Sequence, residues 1–282
     1  MHTEEQLKEI VKQKYSEIAL QDKETNMSSC CGAGGCSTEV YNIMSDDYTQ
    51  LEGYHADADL GLGCGLPTQF AKIKKGDLVV DLGSGAGNDC FIARQETGES
   101  GKVIGIDFTP AMIEKARANA EVRGYNNVEF RLGDIEHMPI TSGIVDVVVS
   151  NCVLNLVPNK NAVIAEIYRV LKPGAHFSIS DVVLVGALPD GLRKDAERYA
   201  GCVSGAIQKE VYLELIHGNG FEQVVIQKEK SIIIPDDILK NYLSSSEIAA
   251  FKSGNTGIFS ITVYAKKPLV QQQSCTPGSG CC

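Results

Sequence analysis

A glycine-rich segment between a predicted strand and a predicted helix, VVDLGSGAGNDCFIA, most strongly restricts the fold of this chain. Its glycines, Gly83, Gly85 and Gly87, allow a tight turn and let a ligand approach the backbone where a helix begins. Asp107 ends the next predicted strand, 24 residues after Gly83, where a carboxylate can bind both hydroxyls of a ribose. The segment therefore predicts an α/β fold with a nucleotide-binding loop.

The same segment disfavours a dinucleotide as the ligand. Dinucleotide-binding loops have the pattern Gly-x-Gly-x-x-Gly, and Asn88 stands where the third glycine is expected. Asp81, two residues before Gly83, would repel a pyrophosphate and would attract a cationic group, such as the ammonium of an amino acid. We therefore expect Asp81 to be a ligand-binding residue.

Strands alternate with helices from residue 77 onward, which predicts parallel strands joined by right-handed crossovers, with helices on both faces of the sheet. The predicted strands span residues 78–82, 103–107, 128–132, 145–150 and 176–185, with helices at 88–96, 110–123 and 159–171. Two further helices are predicted near 190–200 and 208–219, and two further strands at 223–229 and 258–265. The last two strands are expected to form an antiparallel edge, and an amphipathic helix is predicted over 4–20.

Charge and hydropathy exclude several classes of partner. A net charge of −10 argues against nucleic acid, which requires clustered Lys and Arg. No run of eighteen apolar residues occurs, so we predict no membrane-spanning segment. The first residues, MHTEEQLKEI, lack the apolar core of a signal peptide, and we therefore expect a cytoplasmic protein.

The chain has ten cysteines, which is many for a protein of a reducing compartment, where thiols pack, bind soft ions or take part in redox chemistry. Cys90 lies among apolar residues of a predicted helix, and we interpret it as a core residue. The other cysteines form an N-terminal group, a C-terminal group and a group of three in the body of the chain: Cys30, Cys31 and Cys36; Cys275, Cys281 and Cys282; Cys64, Cys152 and Cys202.

The three cysteines of the last group lie on three connections that could share one edge of the sheet. Cys152 directly follows the fourth strand, at the edge where an open parallel sheet binds its ligands. Cys64 precedes the first strand, between glycines that are expected to leave its thiol uncrowded, and Cys202 follows the fifth strand. Thiolates favour soft acceptors such as trivalent arsenic, which binds up to three sulfurs and keeps a lone pair that can attack a methyl group.

The segment from about residue 76 to 267 resembles the class I S-adenosylmethionine-dependent methyltransferases, through DLGSGAG, GIDFTPAMIEKAR, GDIEHMP and VLKPGAHFSISD. The resemblance implies a doubly wound, mostly parallel Rossmann-like sheet with S-adenosylmethionine as the cofactor. It places Gly83, Ser84 and Gly85 against the methionine part of the cofactor. It implies that the ribose and adenine are held by a second set of residues: Asp107, Thr109, Met112, Asp134 and Ile135. We add Asn151, at the end of the fourth strand, to the cofactor-binding residues.

Three short cysteine motifs, LGCGLP, SNCVLNLVPNK and AGCVSGAI, are similar to those of the arsenite S-adenosylmethionine methyltransferases. That family implies Cys152 and Cys202 as the main arsenic thiolates, with Cys64 as a third ligand or a redox partner. It also implies a fourth functional cysteine near the N-terminus. Spacing to Cys64 favours Cys36 for this place and the local sequence SCCG favours Cys31, while Cys30 also competes. The expected substrate is arsenite or its thiol conjugates, with thioredoxin or a small thiol as the reductant.

The predicted organisation has three parts: an N-terminal helix with cysteine-bearing loops (1–66), a methyltransferase domain (67–268) and a disordered cysteine-ended tail (269–282). Two other functions remain open. A C- or O-methyltransferase of a small organic metabolite would need a base or polar anchors, for which the strand ends offer little beyond Asn151 and Asp181. A protein that sequesters soft metal ions through its thiols would leave the predicted cofactor loop without a role.

Overall fold

Seven strands form one sheet in the order β3-β2-β1-β4-β5-β7-β6 in the computed structural model, which describes residues 3–21, 46–188, 203, 205–234, 236–254 and 256–269. The strands β1 to β5 are parallel, and β7 pairs antiparallel with both β5 and β6. The predicted doubly wound, mostly parallel sheet with an antiparallel C-terminal edge is therefore confirmed.

The strands and helices follow the predicted order closely. The strands are β1 Leu78–Leu82, β2 Lys102–Asp107, β3 Val128–Leu132, β4 Val145–Asn151, β5 Leu171–Val185, β6 Glu222–Ile232 and β7 Gly257–Lys266. The helices are α1 Glu4–Ala19, α2 Pro67–Phe70, α3 Asn88–Thr97, α4 Pro110–Val122, α5 Lys160–Val170, α6 Lys209–Gly218, α7 Asp236–Leu239 and α8 Ser245–Ser253. The helix predicted near 190–200 lies outside the described residues.

Two boundaries and three short helices differ from the prediction. Strand β5 begins at Leu171, five residues before the predicted start, because Pro173 disfavours a helical backbone at the residue before it, Lys172. Strand β6 extends to Ile232 because it pairs with β7 along most of its length. The helices α2, α7 and α8 were not predicted, and α2 and α7 have only four residues each, too few to show a helical period.

Apolar side chains cover both faces of the sheet. One buried cluster joins β1, β2, β4, β5 and β7 to α5 and α6, with Phe177 fully buried at its centre. A second cluster packs α3 and α4 against the opposite face, with Phe91 fully buried. Val147 and Val149 of β4 face the second cluster while Val148 faces the first, as the two-residue period of a central strand requires. The sheet is therefore a central layer between two layers of helices.

Helix α1 is capped at its N-terminus and attached to the domain at its C-terminus. Thr3 caps its N-terminus in a capping box with Gln6. At its C-terminus the ammonium of Lys115 donates to the carbonyl oxygens of Ala19 and Gln21 at 2.9 and 3.2 Å. A cation at this place satisfies carbonyl groups that the helix itself leaves without partners. The predicted amphipathic N-terminal helix is therefore packed on the domain, against α4.

Asn127 ties two turns together at the amino-terminal edge of the parallel strands. Its Nδ2 donates to the carbonyl oxygens of Gly98 and Gly101, both at 2.9 Å, and its Oδ1 accepts from the Arg94 Nε at 3.3 Å. The side chain is half-buried. Its amide therefore bridges backbone carbonyl groups that are far from it in sequence. Within the part of the chain that the structure describes, no helix is long and apolar enough to cross a membrane.

Candidate active site

A cavity of about 1070 Å³ opens at the carboxyl ends of β1, β2 and β4. Its walls include all ten residues that the sequence assigns to cofactor binding: Asp81, Gly83, Ser84, Gly85, Asp107, Thr109, Met112, Asp134, Ile135 and Asn151. The structure thus brings these ten residues to one cavity, and their individual roles in binding stay predictions.

The glycine-rich turn fits closely against the loop after β4. Gly83 has φ +66° and would place an added Cβ against the side chain of Val153, so only glycine fits there. Gly85, with φ +51°, has open space where a Cβ would stand, and both glycines line the cavity. The buried Ser84 Oγ beside them has no hydrogen-bond partner among the described residues. A buried hydroxyl of this kind is a natural contact for a bound ligand.

Asp107 is fixed by the backbone of two loops. Its Oδ2 accepts from the Gly85 N–H at 3.0 Å and its Oδ1 accepts from the Thr109 N–H at 2.8 Å. Burial raises the pKa of Asp107, and these hydrogen bonds oppose the increase. Each carboxylate oxygen keeps a further lone pair, so the side chain can hold the glycine turn and still accept from a ligand.

Besides Asp134, three more carboxyl groups face the same cavity: Asp59, Asp81 and Asp89. Burial, together with the charge of Asp89, raises the pKa of Asp81 well above its usual range, and the Cys90 thiol donates to the Asp81 Oδ2 at 3.2 Å. Burial raises the pKa of Asp89 to about 6, and hydrogen bonds from Asn151 and Tyr48 limit the increase. Closely spaced acidic groups of this kind favour a cationic ligand.

Cys90 is fully buried, as predicted for a core residue. Its hydrogen bond to Asp81 gives it a second role that the sequence did not indicate. The contact joins β1 to the first turn of α3, and it is made to a side chain that lines the cavity. Cys90 is therefore part of the support of the cavity as well as of the core.

Helix α1 covers the part of the cavity around Asp134. The Lys8 ammonium pairs with the Asp134 Oδ2 at 2.6 Å and with the carboxylate of Glu136. Tyr15, two turns further along the same helix, packs with Leu60 and Met112 and also lines the cavity. One ring therefore packs the helix onto the domain and contacts the cavity.

Of the three cysteines in the body of the chain, Cys64 and Cys152 belong to one buried cluster. Cys152 lines the cavity and Cys64 belongs to the same buried cluster as Cys152, and both are present as thiols. The expectation that glycines leave the Cys64 thiol uncrowded is wrong, because Cys64 is fully buried. Its flanking glycines are needed instead for close packing: a Cβ on Gly65 would lie 2.5 Å from the Ser180 Oγ. Cys202, Cys30, Cys31 and Cys36 lie outside the described residues.

Asn151 contacts the peptide backbone on both sides of Cys64. Its Oδ1 accepts from the Cys64 N–H at 3.0 Å, and its Nδ2 donates to the Gly65 carbonyl oxygen at 2.9 Å. The same Nδ2 lies 3.2 Å from the Asp89 Oδ2 and within hydrogen-bond distance of the Tyr48 hydroxyl. Asn151 was predicted as a cofactor-binding residue; its side chain lines the cavity and is also hydrogen-bonded to protein groups.

Tyr48 is a site residue that the sequence does not indicate. Its hydroxyl donates to the Gly65 carbonyl oxygen at 3.0 Å or to the Asp89 Oδ2 at 3.1 Å, and the buried ring lines the cavity. Asp89 had a weak signal, since it is a second acid that directly follows the glycine turn. Tyr48 had none, because it reaches the cavity from a loop more than thirty residues before that turn.

Asp181 is fully buried at the ligand edge of β5 and stays outside the described lining of the cavity. Its Oδ1 accepts from the Val182 N–H at 2.9 Å, and the Tyr212 hydroxyl lies 3.5 Å from its Oδ2. Burial raises the pKa of Asp181 to about 7, and Lys160 and Tyr212 oppose the increase. A buried acid without a cation in direct contact is held in its neutral form up to about this pH.

Comparison with known families gives the same fold. A family profile described as "Methyltransferase domain" matches residues 73–220. The crystal structure of an arsenic(III) S-adenosylmethionine methyltransferase from Chlamydomonas reinhardtii is 31% identical and superposes with a TM-score of 0.64, covering 82% of this chain and 74% of that one.

Two curated relatives cover nearly the whole chain. The arsenite methyltransferase of Halobacterium salinarum is 40% identical over 277 residues, which is 94% of this chain and 67% of that protein. The arsenite methyltransferase of Aquipseudomonas alcaligenes is 33% identical over 260 residues, which is 90% of this chain and 72% of that protein. Both relatives are therefore longer than this chain.

The raised pKa of Asp181 predicts a specific dependence of stability on pH. Between about pH 4 and pH 7 the folded chain keeps a proton on Asp181 that the unfolded chain has lost, so stability falls as the pH rises, by about 1.4 kcal/mol per pH unit for one proton. Asp181→Asn replaces the carboxyl by a neutral group of the same shape and removes this contribution. We expect the variant to gain stability relative to the native chain as the pH rises from 5 to 8.

Urea unfolding at pH 5, 6, 7 and 8 measures the difference. Asp146→Asn is the control, because it removes a carboxylate that is paired with Lys172 at the opposite edge of the sheet. A constant difference between Asp181→Asn and the native chain across this range would contradict the prediction.

Proposed function

The chain belongs to the arsenite methyltransferase family, and from this membership we propose that it transfers the methyl group of S-adenosylmethionine to trivalent arsenic bound by Cys64, Cys152 and Cys202. When bound, S-adenosylmethionine supplies a methyl group whose carbon–sulfur bond breaks with the electron pair left on sulfur. The observation that carries the proposal is that Cys152 lines the same cavity as the glycine-rich turn and shares a buried cluster with Cys64.

The residues that line the cavity suit S-adenosylmethionine in their polarity and charge. It offers the buried Ser84 Oγ as a partner for a polar ligand atom and Asp107 as an acceptor for ribose hydroxyls. The acidic groups Asp81, Asp89 and Asp59 suit a ligand that carries both a sulfonium and an ammonium. We assign the adenine to the part of the cavity lined by Met112, Asp134 and Ile135, under helix α1.

In the proposed reaction the thiolates position the arsenic and keep water away from it. Cys64 is fully buried and Cys152 is 2% exposed, so arsenic held by these sulfurs is shielded from solvent. The nucleophile is the lone pair of arsenic, and no general base is required. The cysteines supply soft ligands, which suit arsenic better than any oxygen ligand of the site.

A C- or O-methyltransferase of an organic metabolite remains the second candidate. It would use a side chain near the methyl donor to remove a proton from the acceptor. Asp181 has a suitable pKa for a base, about 7, but it lies outside the described lining of the cavity. The buried position of the thiols beside the cavity therefore favours arsenic as the acceptor.

We further propose that cysteines supply the electrons for repeated turnover. The arsenic lone pair becomes the new arsenic–carbon bond, so arsenic passes formally from the trivalent to the pentavalent state and needs two electrons before a second methylation. Two thiols supply them when they form a disulfide and release two protons. We assign this relay to Cys64 and one of the N-terminal cysteines Cys30, Cys31 or Cys36, with thioredoxin or a small thiol as the external reductant.

The acidic wall of the cavity, formed by Asp59, Asp81 and Asp89, predicts that S-adenosylmethionine binds more tightly as the pH rises from 5 to 7. Asp89, with a pKa raised to about 6, loses its proton in this range, and its charge then attracts the cationic ligand. For one released proton the affinity rises by at most about tenfold per pH unit. Calorimetry in buffers of different ionisation enthalpy measures both the affinity and the proton release. Asp89→Asn should flatten the profile, whereas Asp146→Asn, far from the cavity, should follow the native chain.

Replacing an acceptor thiol should remove the chemistry and leave cofactor binding. We expect Cys152→Ser and Cys202→Ser each to abolish methylation of arsenite, because a hydroxyl is a hard and weakly acidic ligand that cannot replace a thiolate on arsenic. Speciation of methylated arsenic, with the purified chain, S-adenosylmethionine and a thiol reductant, tests this. The S-adenosylmethionine affinity of each variant is the control. Methylation at the native rate in both variants would exclude arsenic as the acceptor of these thiols.

Without reductant, the relay should stop after the first methylation with an internal disulfide. Mass mapping of the stalled enzyme should find Cys64 joined to Cys30, Cys31 or Cys36, and a thioredoxin system should restore turnover. If all cysteines are still reduced after turnover without added reductant, the relay is wrong and Cys64 is a ligand only.

A further inference from the structure

The side-chain amide of Asn151 brackets the peptide group that follows Cys64. Its oxygen accepts from the Cys64 N–H at 3.0 Å and its nitrogen donates to the Gly65 carbonyl oxygen at 2.9 Å. The two hydrogen bonds fix both the position and the rotation of this stretch of backbone, as a neighbouring strand would. The Cys64 carbonyl oxygen is held separately, by the Ser260 hydroxyl at 2.5 Å.

Asn151 is also the residue directly before Cys152. It ends β4, and the Cys152 N–H that follows donates to the Ser180 carbonyl oxygen at 2.8 Å. Cys152 is thereby held against β5, and Cys64 is held against Asn151. The Asn151 side chain and this backbone hydrogen bond therefore both contribute to the distance between the two cysteine backbones.

The glycine before Cys64 leaves no space for a different arrangement. A Cβ on Gly63 would lie 2.7 Å from the Asn151 Nδ2 and 3.2 Å from the Tyr48 hydroxyl. The loop therefore approaches the asparagine as closely as a backbone without a side chain allows. A slightly longer or shorter side chain at position 151 would move Cys64 relative to Cys152.

We infer that Asn151 is a positioning residue for the arsenic acceptor, which sets the spacing between Cys64 and Cys152. The inference rests on the proposed function, because it takes these two thiols as arsenic ligands. Three sulfurs on one pyramidal centre must lie at fixed distances from each other, and a displacement of about 1 Å can reduce a rate by about a hundredfold. Asn151 supplies this precision from the edge of the cavity without itself binding arsenic.

The alternative role is the predicted one, in which Asn151 binds S-adenosylmethionine. The side chain lines the cavity and its Nδ2 lies 3.2 Å from the Asp89 Oδ2, so both roles have a contact in their favour. The two roles predict different effects when the amide is removed: weaker binding of arsenite in the first, and weaker binding of S-adenosylmethionine in the second. After Asn151→Ala, Asp89 still accepts from the Tyr48 hydroxyl, so the acidic wall keeps one of its two hydrogen bonds.

The test compares Asn151→Ala with Asn127→Ala in the full chain. Both variants remove a half-buried amide that bridges distant backbone groups, and only Asn151 contacts a cysteine loop. We expect Asn151→Ala to raise the KM for arsenite by about tenfold or more, while the dissociation constant of S-adenosylmethionine changes by less than about threefold. Asn127→Ala should change neither constant. If Asn151→Ala does not fold, Asn151→Ser is measured in the same way.

X-ray absorption at the arsenic edge gives a second readout. With one equivalent of arsenite, the native chain should show sulfur neighbours only, and Asn151→Ala should show fewer sulfurs with oxygen in their place. The inference is overturned if the variant loses S-adenosylmethionine affinity and keeps the native KM for arsenite, or if both constants match those of Asn127→Ala. A native chain that neither binds arsenic through sulfur nor methylates it would instead overturn the proposed function.

Discussion

The parallel pairing of β1 with both β2 and β4 is the constraint on which the site depends. Leu82 pairs with Ile106 on one side and with Ser150 on the other, so the three strands end at the same level. The glycine turn directly follows β1, and Asp107 and Asn151 are the last residues of β2 and β4, so the three meet without any long side chain reaching across. A shift of register between β1, β2 and β4 would separate the glycine turn from Cys152, the residue that follows β4.

The same edge carries a concentration of buried acid. Asp81, Asp107 and Asp181 are each less than one tenth exposed, and burial raises the pKa of all three. A buried carboxyl costs folding free energy when it ionises, and hydrogen bonds from Gly85, Thr109 and Val182 offset only part of this cost. The fold therefore gives up some stability to hold negative charge where a cationic ligand binds, and we interpret ligand binding as part of what stabilises the domain.

How much was predictable depended on whether the signal was local. The strands and the glycine turn follow from short periodic patterns, and Asn88 already argued against a dinucleotide. The gathering of ten separate residues on one cavity followed from topology and from resemblance to a family. The contacts of Asn151 with the Cys64 loop were not predictable, because they join residues 87 positions apart that share no pattern. The burial of Cys64 was misjudged for the same reason: glycines beside a thiol indicate either exposure or very close packing, and only the neighbouring strand decides which.

Cys152 has φ +62°, in the left-handed region that favours glycine. A side chain in this conformation costs roughly 1 kcal/mol or more relative to glycine. Considered only as a turn after a strand, the position would therefore be improved by removing the side chain. Glycine would relieve this strain, but it would also remove a side chain that packs in a buried cluster and carries the thiol that lines the cavity. The backbone at this single residue is therefore kept in a strained conformation in the presence of its side chain.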